Sequence, residues 1–175
     1  MIFTELALKG AYLLELTPVH DDRGFFARTW CQQEFSSYGL NPSFVQCSTS
    51  YNKLRGTLRG MHFQLPPHQE AKLIRCVQGA IYDVVVDLRQ QSDTFGNWYG
   101  IELSATNRKA IYVPAGFAHG FLTLSDDAEV LYQISEYFHQ DSASGFRWDD
   151  SRFGIQWPIE ITTMSLRDKN YPDFL

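Results

Sequence analysis

The run Gly56–Cys76, GTLRGMHFQLPPHQEAKLIRC, gathers Arg59, His62, Glu70 and Lys72 in a segment that otherwise alternates like a β-strand. An imidazole titrates near pH ~6.5 and takes a proton at neutral pH. A guanidinium fork suits phosphate oxygens. An ammonium stabilises an oxygen on which negative charge develops. Such groups on core-building strands need a polar cavity to face. Arg59 and His62 differ in strand parity, so the spacing predicts a bend or bulge near Gly60. His20 and His68 sit among turn residues and receive no chemical role.

The elements that must carry these groups read as β. Short alternating runs are separated by turn residues. They predict strands at Ala11–Thr17, Phe25–Trp30, Phe44–Ser50, Thr57–His62, Ala71–Val77, Ala80–Leu88, Trp98–Leu103, Lys109–Val113, Gly120–Thr123 and Ala128–Phe138. Only Cys31–Tyr38 reads as a helix, and the tail after Ser144 reads as irregular. In AIYDVVVDL, Tyr82, Val84, Val86 and Leu88 form one apolar face. Asp83 and Asp87 lie on the other, expected to meet solvent, with a polar barrel interior as the alternative. Strands at this spacing over residues 1–175 predict a single all-β domain, a sandwich or barrel with short peripheral helices.

Composition excludes several classes. The net charge of −5 argues against a nucleic-acid partner but leaves room for a local basic pocket holding a small anion. Cys31, Cys47 and Cys76 are odd in number, with no C-x-x-C, and read as reduced thiols of a cytoplasmic protein. The N-terminal residues lack a signal-peptide pattern, and no window approaches the ~18 apolar residues of a membrane span.

Pro114-Ala115-Gly116-Phe117-Ala118-His119 resembles the second motif of the cupin superfamily, a jelly-roll β-barrel. Gly56 and His62 resemble part of the first motif, although Gln64 stands where a second histidine is usual. That resemblance raises a metal reading, with His62, Glu70 and His119 as two imidazoles and a carboxylate. The missing histidine and the nearby Lys72 ammonium oppose it.

A more specific resemblance covers nearly the whole chain. DDRGFFARTW, FVQCSTSYN, GTLRGMHFQ, EAKLIRC followed by GAIYDVVVDLR, YVPAGFAHGF, YQISEYF and the closing LRDKNYP fall in the order and spacing of the dTDP-4-dehydrorhamnose 3,5-epimerase family. The resemblance implies a cofactor-free isomerase acting on a nucleotide-linked 4-keto-6-deoxyhexose. It would convert dTDP-4-dehydro-6-deoxy-D-glucose to dTDP-4-dehydro-L-rhamnose. The C4 ketone acidifies C3 and C5, an enolate forms, and reprotonation from the other face inverts the centre.

By the same resemblance His62 is the base, Asp168 its orienting carboxylate, Tyr132 the acid and Lys72 the cation near the C4 oxygen. Arg59 and Arg23 match diphosphate contacts, Phe26 an aromatic on the nucleotide, and Gln46 a polar contact nearby. Arg167 is included for its place beside Asp168. His119 and Asp83 form a second internal pair, structural or touching the sugar. Glu70 pairs with Lys72 or sits outside.

Three positions depart from the family pattern: Arg28 stands for a glutamate, Ser48 for an asparagine and Phe138 for a tyrosine. The Arg28 charge reversal points either to a variant nucleotide or deoxyhexose, or to an arginine that merely turns outward. The resemblance also implies a homodimer whose N-terminal strands cross to the partner, with Arg23, Phe26 and Gln46 completing the neighbour's site. The alternatives are a C3-only or C5-only epimerase, a 3,4-ketoisomerase, a non-catalytic sugar-nucleotide binder and a metal-dependent cupin.

Overall fold

The alternating runs become fourteen strands and two short helices in a computed structural model that describes residues 1–175. They are β1 (Ile2–Glu5), β2 (Tyr12–Glu15), β3 (Val19–Asp21), β4 (Gly24–Phe26), α1 (Gln32–Ser37), β5 (Gln46–Asn52), β6 (Thr57–Gln64) and β7 (Lys72–Gln78). Then follow β8 (Ala80–Asp87), β9 (Trp98–Ser104), β10 (Ala110–Val113), β11 (Phe117–Thr123), β12 (Ala128–Ile134), β13 (Ala143–Gly145), β14 (Thr163–Met164) and α2 (Leu166–Lys169).

Two antiparallel sheets face each other. One runs β1-β2-β10-β7-β12-β5, the other β13-β6-β11-β8-β9, with β14 added in parallel on β6. Their inner faces interdigitate: Ile74, Cys76, Ile111, Val113 and Val130 of the first sheet meet Ile81, Val85, Leu103, Phe117 and Phe121 of the second. This is the double-sheet barrel of a cupin-type fold. Outside the first sheet, Phe35 and Leu40 cover Leu14, Leu73, Ala110 and Tyr112. Outside the second, Phe146, Phe153 and Ile155 of the C-terminal segment cover Met61, Val84, Val86 and Ala118.

That outer cover corrects the expectation for β8. Asp83 and Asp87 are fully buried instead of facing solvent. The C-terminal segment buries the Tyr82–Val84–Val86 face, which leaves the aspartate face to look between the sheets. Asp87 is satisfied there by Arg89 at 2.7 Å and by the hydroxyls of Ser92 and Thr94, each donating at 2.6 Å.

Other elements differ locally. The N-terminal residues form an unforeseen edge strand, β1, paired to β2. The expected Phe25–Trp30 strand shrinks to β4, which pairs only with β3 in a two-stranded hairpin. β12 ends at Ile134, where the Ser135 N–H and hydroxyl turn to the Ala71 backbone. The tail is more ordered than its prolines suggest. β14 pairs β6, and α2 begins at Ser165, whose hydroxyl accepts the Asp168 N–H at 3.0 Å.

Candidate active site

The bulge expected near Gly60 organises the pocket. His62 stands opposite His119 and Arg59 opposite Phe121, so β6 uses one residue more than β11 between the two pairings. Side chains three apart therefore share a face. Gly60 permits this with φ of +139°, and a Cβ there would lie 2.6 Å from the Gly120 Cα. On the facing sheet, Lys72 pairs with Ile134, and Tyr132 pairs with Ser48. The period of two turns these residues toward the same space.

That space is a cavity of about 330 Å³ lined by Ser48, Ser50, Arg59, His62, Lys72, His119 and Tyr132 among others. His62 also borders a hollow of about 190 Å³ with Gln46, Gln64, Glu70, Lys72, Phe138 and Arg167. It borders a third, of about 410 Å³, with Arg59, Arg167 and Asp168. Three cations, Arg59, Lys72 and Arg167, thus surround one histidine in a chain of net charge −5.

His62 is held from the C-terminal segment. Its Nε2 lies 2.7 Å from Asp168 Oδ1. This leaves Nδ1 as the ring atom free to exchange a proton. Asp168 is 5 % exposed at its side chain and also accepts the Gly60 N–H at 3.4 Å. Burial pushes its carboxyl up, but the hydrogen bond and charge of His62, with Gly60 and Ser165, outweigh burial and hold it below its ordinary value.

Tyr132 faces the cavity from the opposite sheet. Burial first, then the Asp83 charge, push its phenol well above the ordinary value, against the pull of Arg59. It therefore carries its proton at neutral pH. His119 joins Asp83 at 2.8 Å and packs its ring against Tyr132 with centroids 5.9 Å apart. Arg59 donates from Nε to Asn52 Oδ1 at 2.7 Å, which leaves much of its fork free. Lys72 is ion-paired to Glu70 at 2.9 Å, which answers the place of Glu70. His62, Glu70 and His119 do not converge, and no three His, Cys, Asp or Glu side chains gather as a metal would need.

The N-terminal candidates lie elsewhere. Arg23 is 90 % exposed and paired to Asp21, and Phe26 is 80 % exposed, both on the β3–β4 hairpin. Neither reaches the pocket of its own chain. Arg28 also stays out of it: Glu34, in the first turn of α1, draws it into an ion pair of 2.9 Å. Within its own chain Arg28 turns outward, 61 % exposed at the side chain. Gln46 does line the site, where its Oε1 accepts the Phe138 N–H at 2.6 Å. Two contributors were not foreseen. Asn52, 2 % exposed, anchors Arg59. Tyr171 packs edge-on to His62 at 5.8 Å and lies under the Arg167 guanidinium. Both sit in segments already marked by pattern, FVQCSTSYN and LRDKNYP.

A jelly-roll barrel with an oriented imidazole on one wall, a protonated phenol on the other and cations between defines a cupin-type enzyme equipped for proton transfer at carbon. The model of the dTDP-4-dehydrorhamnose 3,5-epimerase family matches residues 5–175. The chain belongs to that family. It is 44 % identical over 172 residues to the dTDP-4-dehydrorhamnose 3,5-epimerase of Methanothermobacter thermautotrophicus, covering 97 % of this chain and 92 % of the relative. Its fold matches the crystal structure of the Bacillus anthracis enzyme with TDP and PPi bound, with a TM-score of 0.95, 43 % identity and 99 % of each chain covered. It also matches ChmJ, a 3'-monoepimerase from Streptomyces bikiniensis in complex with dTDP-quinovose, with a TM-score of 0.87 and 34 % identity, over 96 % of this chain and 85 % of that one.

Proposed function

We propose that this epimerase inverts both C3 and C5 of dTDP-4-dehydro-6-deoxy-D-glucose, with His62 as base and Tyr132 as acid. One observation carries the reading: His62 and Tyr132 rise from facing sheets into one cavity that also holds Lys72 and Arg59. A hexose ring between them meets the imidazole on one face and the phenol on the other. His62 Nδ1 takes the proton from carbon, and Asp168 steadies the imidazolium. The electron pair moves to the C4 oxygen, where Lys72 stabilises the enolate. Tyr132 then delivers its proton to the opposite face. Arg59 and Arg167 hold the diphosphate. The His119–Asp83 pair fixes the wall behind Tyr132.

The working unit in this reading is a homodimer. The β3–β4 hairpin leaves Val19, Phe25 and Phe26 exposed, and β5 is an unpaired sheet edge beside the pocket. A second copy's hairpin brings Arg23 and Phe26 to that edge. The unpaired cysteines fit the reducing cytoplasm, and no helix is long and apolar enough to cross a membrane. The test is incubation with the 4-keto substrate in D2O, followed by NMR at C3 and C5. Deuterium at both carbons supports double inversion. Exchange at C3 alone reduces the chain to a monoepimerase, and exchange at neither sinks the proposal.

A further inference from the structure

Glu70 is a buried carboxylate that the reaction as drawn does not use. Its side chain is 7 % exposed, and Oε1 lies 2.9 Å from Lys72 Nζ, itself 13 % exposed at the side chain. Its other oxygen, Oε2, is buried with no protein partner. Glu70 is the only ion-pair partner that the structure gives Lys72. Glu136, on the same hollow, turns instead to the Tyr137 N–H at 2.7 Å and toward His139 at 3.9 Å.

The pair is also held rigidly. Ala71, between the two residues, donates its N–H to Ser135 Oγ at 2.8 Å and accepts the Ser135 N–H at 3.0 Å. Glu70 lies just before β7 and Lys72 is its first residue, and the 2.9 Å ion pair shows that the two side chains turn toward each other. Lys72 lines both the smaller hollow and the cavity holding Tyr132, whereas Glu70 lines only the hollow. The carboxylate therefore holds the ammonium from the hollow, outside the cavity that Tyr132 lines. A lysine with four rotatable bonds has many ways to leave a cavity. A buried cation with no counter-charge has reason to.

We infer that Glu70 is a positioning residue for the epimerisation. It anchors one N–H of the Lys72 ammonium, so that the charge is already aimed at the C4 oxygen before the enolate forms. The inference rests on the role proposed for Lys72. The pair acts in the transition state more than in the ground state, because charge reaches the C4 oxygen only as the C–H bond breaks.

The experiment uses the full chain and its Glu70→Gln, Glu70→Asp, Lys72→Gln and doubly substituted Glu70→Gln/Lys72→Gln variants, with melting followed alongside steady-state kinetics. Glu70→Gln keeps the shape and an acceptor oxygen but removes the charge. It is expected to lower kcat about tenfold with KM within about twofold, the pattern of an interaction made in the transition state. Glu70→Asp keeps the charge and should lose less. In the Lys72→Gln background Glu70→Gln should add nothing. Unchanged kcat in Glu70→Gln, or a further tenfold loss in the Lys72→Gln background, overturns the positioning role. Wild-type activity in Lys72→Gln overturns the reading of Lys72 itself.

Discussion

On the roles proposed for His62 and Asp168, Asp168→Asn changes one atom in the pocket and should disable the base through tautomer choice. In the native site one carboxylate oxygen faces His62 Nε2 at 2.7 Å, and the other accepts the buried Gly60 N–H at 3.4 Å. An asparagine has one acceptor and one donor end. If its carbonyl stays on Gly60, its amide nitrogen donates to Nε2, and the ring proton moves to Nδ1. The atom facing substrate then cannot accept a proton. If the amide flips, two donors meet at Gly60, and a buried N–H left without a partner costs about 1–3 kcal/mol. Either way the imidazolium loses a charged partner worth about 1.5–3 kcal/mol. In the flipped case the losses together come to about 2.5–6 kcal/mol, which is about 10²- to 10⁴-fold in kcat. The assay is the rate of solvent deuterium entry at C3, with substrate affinity and melting measured on the same protein. A variant that melts normally and exchanges within about threefold of wild type would refute the reasoning.

Tyr132→Phe removes the raised-pKa phenol. It should leave deuterium entry at C3 measurable while cutting formation of the C5-inverted product by about 10²-fold or more. Asp87→Asn tests the buried Arg89–Ser92–Thr94 network. Burial raises the Asp87 pKa, but these hydrogen bonds outweigh it and bring it to about 2. The stability this gives is complete above the unfolded carboxylate value near 3.9 and is lost as pH falls toward about 2. Denaturant titration at pH 7 should show a loss of about 2 kcal/mol in the variant, and an acid limb that flattens over that window. Mixing inactive Arg23→Ala with inactive His62→Asn should restore about a quarter of native activity if each hairpin completes the neighbour's site. A fully active Arg23→Ala, or no recovery after subunit exchange, would refute the shared site.

The sequence made the strand succession legible because apolar alternation and Gly-rich turns coincide at β6 through β12. It made the parity conflict between Arg59 and His62 legible too, and the bulge answers it. It misled over Asp83 and Asp87, because alternation tells which residues share a face and not what covers the other face. The cover comes from Phe146, Phe153 and Ile155, far along the chain. The hairpin carrying Arg23 and Phe26 was overextended for a similar reason. Its aromatic residues have strand propensity, but no neighbouring strand of the same chain takes its hydrogen bonds. The approach of Asp168 to His62 came from family resemblance alone, since no local pattern joins residues over a hundred positions apart. Tyr171 and Asn52 lay inside recognised segments, yet their roles depend on which ring and which guanidinium they touch.

The helix that delivers Asp168 is only one turn long and starts on a single serine cap, with the two residues of β14 before it on β6 and Phe174 after it packed on Phe63, Phe146 and Phe153. The sandwich is moored by dozens of strand hydrogen bonds. Such unequal moorings open at unequal free energies. A tail that opened before the sandwich on warming would take Asp168 away from His62 while the barrel stayed closed. Catalysis should therefore fade several degrees below the cooperative melt and return promptly on cooling. The working temperature would then follow the docking of the last turn, not the strength of the core.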